Sequence, residues 1–219
     1  MQTKLLGAKR RLEELRLLKR VRPYTLLTPA KLRNLKALAL RMSAEGVPGD
    51  FVECGTYKGG SAAVLATALN NERHLWLYDS FQGMPEVTER DGEGAKEAVG
   101  LCRADQSDLL EVFSSLEIPS DQYTVRPGMF EATFREPLPE KVALLHCDCD
   151  WYDSVILVLR TFYPLIPQGG SIVLDDFGWW EGTREAFYDF CYEVGERPLI
   201  ERVGADQAYW IKGRVHNRG

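Results

Sequence analysis

The period of the hydrophobic positions changes once along this chain, near residue 50. Before that point apolar residues recur every three or four positions: Leu12, Leu15 and Leu18 predict one helix face, and Leu32, Leu35, Leu38 and Met42 predict another, with Pro23 and Pro29 between them. After Gly49, short apolar runs at Phe51–Cys54, Leu75–Tyr78, Tyr123–Arg126, Val142–Cys147 and Ser171–Leu174 predict five strands alternating with helical stretches. Such alternation means an α/β fold, a doubly wound and largely parallel sheet with helices on both faces. Two last runs, near Leu199–Val203 and Ala208–Ile211, are joined only by Gly204-Ala-Asp-Gln207, too short for a crossover helix. They predict a terminal hairpin, hence an antiparallel edge and seven strands in all. The segment 81–100 is acidic, polar and broken by glycine, which predicts a lid or a helix-bearing excursion rather than core.

Length and charge narrow the class. The 219 residues, 45% of them hydrophobic, suffice for one substantial core, read as a helical segment 1–49 ahead of a domain 50–219. No apolar run is long enough to span a bilayer and the first residues lack the apolar core of a secretion signal, so a soluble, cytoplasmic protein is expected. Five cysteines, an odd count placed mostly inside apolar patterns, are expected to be reduced and buried. Residues 1–49 carry a net charge of +9 and the remainder −14. The basic opening lacks interleaved aromatics and the body is acidic, so self-docking is expected and nucleic acid is not.

The chemistry gathers at strand ends. Phe51-Val-Glu-Cys-Gly-Thr-Tyr-Lys-Gly-Gly-Ser61 reads as a strand, a glycine turn and a helix over Ala62–Ala68. A phosphate-bearing cofactor would set its anion on that helix N-terminus, where Glu53 opposes it. S-adenosylmethionine has no phosphate and carries a sulfonium and an ammonium, so Glu53 favours it over a dinucleotide. Asp79, ending the second strand, is placed to accept from ribose hydroxyls, a role compatible with NAD as well. Asp148 follows the fourth strand, and Asp175 and Asp176 the fifth. Neighbouring strands lie about 4.8 Å apart, so adjacency would crowd three carboxylates together, a conflict that a hard, oxygen-seeking dication such as Mg²⁺ removes. Helix capping by one or two of them is the plainer alternative. Cys147 and Cys149 have poor spacing for zinc, and no second Cys/His pair follows. Asp148 or Asp150, and after them His146, are the candidates for a catalytic base.

These residues resemble the macrocin O-methyltransferase family, metal-dependent class I enzymes that methylate sugar hydroxyls of natural products. The resemblance rests on Gly49–Ser61, on Tyr78-Asp-Ser-Phe-Gln-Gly-Met-Pro85, on Gly128-Met-Phe-Glu-Ala-Thr-Phe134, on His146-Cys-Asp-Cys-Asp-Trp-Tyr-Asp-Ser154 and on Tyr163 to Gly178, and it spans residues 22 to 212. It implies the Rossmann-like class I sheet. It also implies a cofactor site at Glu53, Gly55, Tyr57, Gly59, Gly60 and Ser61, with Asp79, Ser80, Gly128 and Phe130 further along. Asp148, Asp175 and Asp176 correspond to the metal ligands. A hydroxyl acceptor, a sugar or glycoside, and a homo-oligomer are implied as well. The glycine loop also resembles that of catechol O-methyltransferases, whose catalytic lysine has no equivalent beside Trp151 and Tyr152. A phenolic acceptor, or a SAM-binding protein without catalysis, stays open at this point.

Overall fold

The computed structural model describes residues 2–70 and 72–216. All seven expected strands are present: β1 (Asp50–Cys54), β2 (Leu75–Asp79), β3 (Tyr123–Pro127), β4 (Val142–Cys147), β5 (Ser171–Leu174), β6 (Glu201–Val203) and β7 (Gln207–Ile211). They form one sheet in the order β3-β2-β1-β4-β5-β7-β6. The first five run parallel, whereas β7 pairs antiparallel with both β5 and β6. Strand order reverses between β1 and β4, so a crevice opens beyond their carboxyl ends.

Seven α-helices accompany the strands among the described residues: α1 (Gln2–Val21), α2 (Pro29–Ala44), α3 (Gly60–Ala66), α4 (Gln106–Ser115), α5 (Phe130–Thr133), α6 (Tyr152–Phe162) and α7 (Glu181–Val194). The two-residue alternation of a strand sends Phe51, Leu75, Leu77, Leu144 and Val173 into a core with α2, α3 and α4. Val52, Tyr78, Leu145, Ile172 and Leu174 enter the opposite core with α6 and α7. Every residue of β4 is buried, as a strand covered on both faces requires. The same parity puts Glu53 beside its register partner His146 on the face that α2 covers.

Helix α2 buries Leu32, Leu35, Leu38 and Met42 as its spacing predicts, and Thr28 caps it ahead of Pro29. The face expected for α1 is displaced. Leu12 and Leu15 are each 49% exposed; Leu17 and Val21 are buried instead, with Leu18 partly covered. The reason is that, among the described residues, the buried positions of α1 lie in its C-terminal part, which docks against α3 and the Arg22–Tyr24 turn and joins the core beneath α2.

The 81–100 excursion carries two 3₁₀ turns, Glu89–Asp91 and Glu93–Ala98, and is fastened to the body. Buried Asp91 accepts from the Tyr152 amide at 2.6 Å at the start of α6, and Arg90 pairs with Asp189 of α7 at 2.8 Å. The Trp151 indole donates to the Pro85 carbonyl at 2.9 Å. All five cysteines are free; Cys54 and Cys147 are buried as expected, while Cys102 is exposed because it lies on this excursion's return. Among the described residues no helix is long and apolar enough to cross a membrane.

Candidate active site

The glycine loop after β1 is shaped by what it must pass. Gly55 sits at φ +85°, and a Cβ there would collide with the carbonyl oxygen of Asp148. Only glycine lets the ends of β1 and β4 close on each other, which they do through the Asp148 amide donating to the Cys54 carbonyl at 2.8 Å. At Gly60 a Cβ would stand 2.7 Å from Cβ of Thr25, so the chain entering α2 can cross over the loop. Asp79 then clips the loop shut: Oδ2 accepts from the Thr56 amide at 2.6 Å and the Tyr57 amide at 2.8 Å, while Oδ1 accepts from the Phe81 amide at 2.6 Å.

A cavity of about 490 Å³ lies at the switch point. Gly55, Tyr57, Ser61, Asp79 and Ser80 line one side, and Gly128 and Phe130 continue it past β3. Asp148, Asp150, Asp175 and Asp176 line the other, so strand adjacency does crowd the expected carboxylates. Asp148, Asp175 and Asp176 each present an oxygen within 4.8 Å of the others.

Four expected site residues lie elsewhere. Gly59 and Gly60 serve the backbone of the α3 N-terminus rather than the cavity wall. Glu53 and His146 are wholly buried below the loop and bonded to each other, Oε1 to Nδ1 at 2.7 Å. The expectation that His146 serves as a base is corrected: its other nitrogen, Nε2, points at Asp175 Oδ1 at 3.8 Å, and its ring does not reach the cavity. Burial alone would depress its pKa, but nearby Asp175 and hydrogen-bonded Glu53 outweigh that and hold it up at about 9. That direction favours the protonated ring.

The acids divide into compensated and uncompensated. Asp175 accepts from Lys31 Nζ on Oδ2 at 2.8 Å and from Gln207 Nε2 on Oδ1 at 2.7 Å. Burial opposes its ionisation, yet His146 and Lys31 keep it below the usual carboxylate range. Asp148, Asp150 and Asp176 open onto the cavity but lie deep in the molecule with no basic side chain bonded to them. Burial and then neighbouring charge lift all three, Asp176 to about 6 through burial and the charge of Asp175, Asp148 and Asp150 well above their ordinary value. Asp150 has a left-handed backbone, φ +61°; the Trp180 indole donates to its Oδ1 at 2.9 Å and the Thr183 hydroxyl to its carbonyl at 2.5 Å. All-oxygen donors whose ionisation lacks enough compensating cations fit a hard dication.

Lys31 and Asp206, 3.3 Å apart, are site residues that the sequence reading missed. A signal existed for the first: Lys31 falls on the apolar stripe of α2, four residues before Leu35, and a charge there requires a buried partner. None existed for Asp206, which reads as an ordinary turn residue. At the cavity mouth, Leu26, Leu101, Met129 and Trp179 are 66%, 57%, 44% and 65% exposed. They form an apolar rim built from four separate segments.

This sheet order, with a glycine loop and an acidic cluster facing each other across the switch point, defines a class I methyltransferase. The comparisons agree and narrow it. Residues 7–212 match the family described as Macrocin-O-methyltransferase (TylF), and the chain belongs to that family. It is accordingly an O-methyltransferase dependent on S-adenosylmethionine. It is similar to the 8-demethyl-8-(2,3-dimethoxy-alpha-L-rhamnosyl)-tetracenomycin-C 4'-O-methyltransferase of Streptomyces olivaceus, at 29% identity over 85% of this chain and 75% of that one. It is also similar to mycinamicin III 3''-O-methyltransferase of Micromonospora griseorubida, 29% identical over 85% of this chain and 78% of that one. Among solved structures, the O-methyltransferase NovP superposes with a TM-score of 0.81 at 24% identity, covering 87% of this chain and 83% of its own.

Proposed function

We propose that this enzyme methylates a hydroxyl of a sugar carried on a larger small molecule, with Mg²⁺ or a similar hard dication held by Asp148, Asp175 and Asp176. The observation that carries the reading is the meeting of those three carboxylates within 4.8 Å of one another in the cavity that the glycine loop also lines. A dication bound there would supply Lewis acidity, acidifying the acceptor hydroxyl and neutralising its developing oxyanion. The chain's own residues do the rest. Tyr57, Ser61, Asp79, Ser80, Gly128 and Phe130 bind and orient the methyl donor, and Gly55 keeps the loop low enough for it to reach the acids. Glu53 acts from beneath, holding His146, with Oε2 left without a hydrogen bond inside the protein. Asp150 is the base: it faces the cavity, is not one of the clustered ligands, and is fixed by Trp180 and Thr183.

The acceptor follows from the rim and the relatives. Leu26, Leu101, Met129 and Trp179 stand where a sugar's carrier would emerge, and apolar residues there suit an aglycone better than a phosphate. The Streptomyces olivaceus relative is by its name a methyltransferase of a rhamnosyl-bearing molecule, which supports this reading. The enzyme works in the cytoplasm, and as a homo-oligomer. The test is transfer of labelled methyl from S-adenosylmethionine to a panel of glycosides, nucleotide sugars and catechols, with Mg²⁺ and with chelator. Product only from catechols would discard the sugar reading, and full turnover in chelator would discard the metal.

A further inference from the structure

Helix α2 belongs to the methyltransferase site through two side chains on its inward face. Lys31 reaches Asp175 Oδ2 at 2.8 Å and Asp206 Oδ2 at 3.3 Å, and its side chain is 9% exposed. One turn on, the Asn34 amide donates to Gln207 Oε1 at 2.8 Å, orienting the Gln207 amide that donates to Asp175 Oδ1. Both oxygens of Asp175 are thus engaged from α2, one directly and one by relay. An ammonium and a dication at the same carboxylate repel each other strongly in a site shielded from water. The lysine need not stay. Its ammonium ends a flexible four-carbon stem and already lies within ion-pair range of Asp206, the more exposed of its two partners at 27%.

We propose that Lys31 is a resident counter-ion that occupies Asp175 until the dication arrives and then withdraws to Asp206, so that this transfer sets the enzyme's metal affinity. The proposal rests on the metal reading given above and adds to it a competitor built into the chain. Before loading, Lys31 shares with His146 the compensation of the Asp175 charge. On loading, Asp175 exchanges a monovalent partner for a divalent one, and Asp206 keeps the displaced ammonium from being stranded.

The test is calorimetric titration of Mn²⁺ and Mg²⁺ into the full chain with S-adenosylmethionine and no acceptor, comparing wild type with Lys31→Met and Asp206→Asn. Methionine keeps the length and volume of the lysine stem without its charge, so affinity should rise about tenfold, equivalent to about 1.4 kcal/mol. Asp206→Asn should act in the opposite sense, weakening binding severalfold, because the ammonium then has nowhere to go. Metal binding in the wild type with the same constant in Asp206→Asn, or a weaker one in a folded Lys31→Met, overturns the role of the lysine and leaves the metal site standing. Silence in all three proteins overturns both. Melting curves establish that each variant is folded; if Lys31→Met is not, Asp206→Asn alone decides.

Discussion

Asp79→Asn probes whether the glycine loop is held by charge or only by shape. The carboxylate accepts three backbone N–H groups, two on Oδ2 from Thr56 and Tyr57 and one on Oδ1 from Phe81. An asparagine of the same size keeps only one acceptor oxygen. Turned toward Thr56 and Tyr57, that oxygen preserves two bonds, now without charge, and leaves the new NH₂ facing the Phe81 amide, donor against donor. The loss of one charge-assisted bond costs about 1.5–3 kcal/mol. For a domain of this size each kcal/mol lowers the melting temperature by about 2–4 °C, so about 2 kcal/mol predicts a fall of about 4–8 °C. Affinity for S-adenosylmethionine should fall too, since Tyr57 and Asp79 share the cavity wall. Scanning fluorimetry without ligand and calorimetry with the cofactor measure the two effects. A melting temperature within about 1 °C of wild type would refute the clip. If cofactor binding were lost at the same time, Asp79 would act on the ligand alone.

Further expectations follow from the same geometry. Gly55→Ala places a methyl against the Asp148 carbonyl and an alanine at φ +85°, so β1 and β4 should part; the variant should be strongly destabilised and inactive, read by thermal melts and turnover. Trp180→Phe keeps the ring against Trp151 but removes the hydrogen bond to Asp150 Oδ1, so kcat should fall about tenfold or more while cofactor affinity holds. Trp179→Ala and Leu26→Ala remove exposed rim surface and should raise KM for a glycoside several-fold with melting temperature unchanged, because neither side chain is packed in the core. Acidity gives a signed test. Raised carboxyl pKa values make the metal-free fold lose stability as pH rises, through about 6 for Asp176, and His146, held up at about 9, adds stability below about 6.5 that is lost through about 9. Metal-free melting temperature should therefore decline from about pH 5 to about pH 9, and the increment given by Mg²⁺ should grow as pH climbs past about 6. A flat profile in chelator would contradict the charge assignment.

What the chain determined alone is what local pattern can carry. Strand identity follows from the short apolar runs, β4 among them. The hairpin follows from a connection too short for a helix, and the loop from glycines between strand and helix. The register of β1 against β4, which puts Glu53 beside His146, was not among these, because it is set by the pairing of strands far apart in sequence.

Tertiary structure decided the pairings between distant segments. Whether His146 is a base or a buried partner of carboxylates depends on Glu53, 93 residues away, and on Asp175. That α1 buries Leu17 and Val21 rather than Leu12 and Leu15 depends on where its last turns dock. Lys31 meets Asp175 across 144 positions, and Asp206 comes from a turn with no pattern to mark it. Hydrophobic periodicity is a property of neighbours in sequence, whereas the compensation of a buried charge is a property of neighbours in space, and only folding makes the second list.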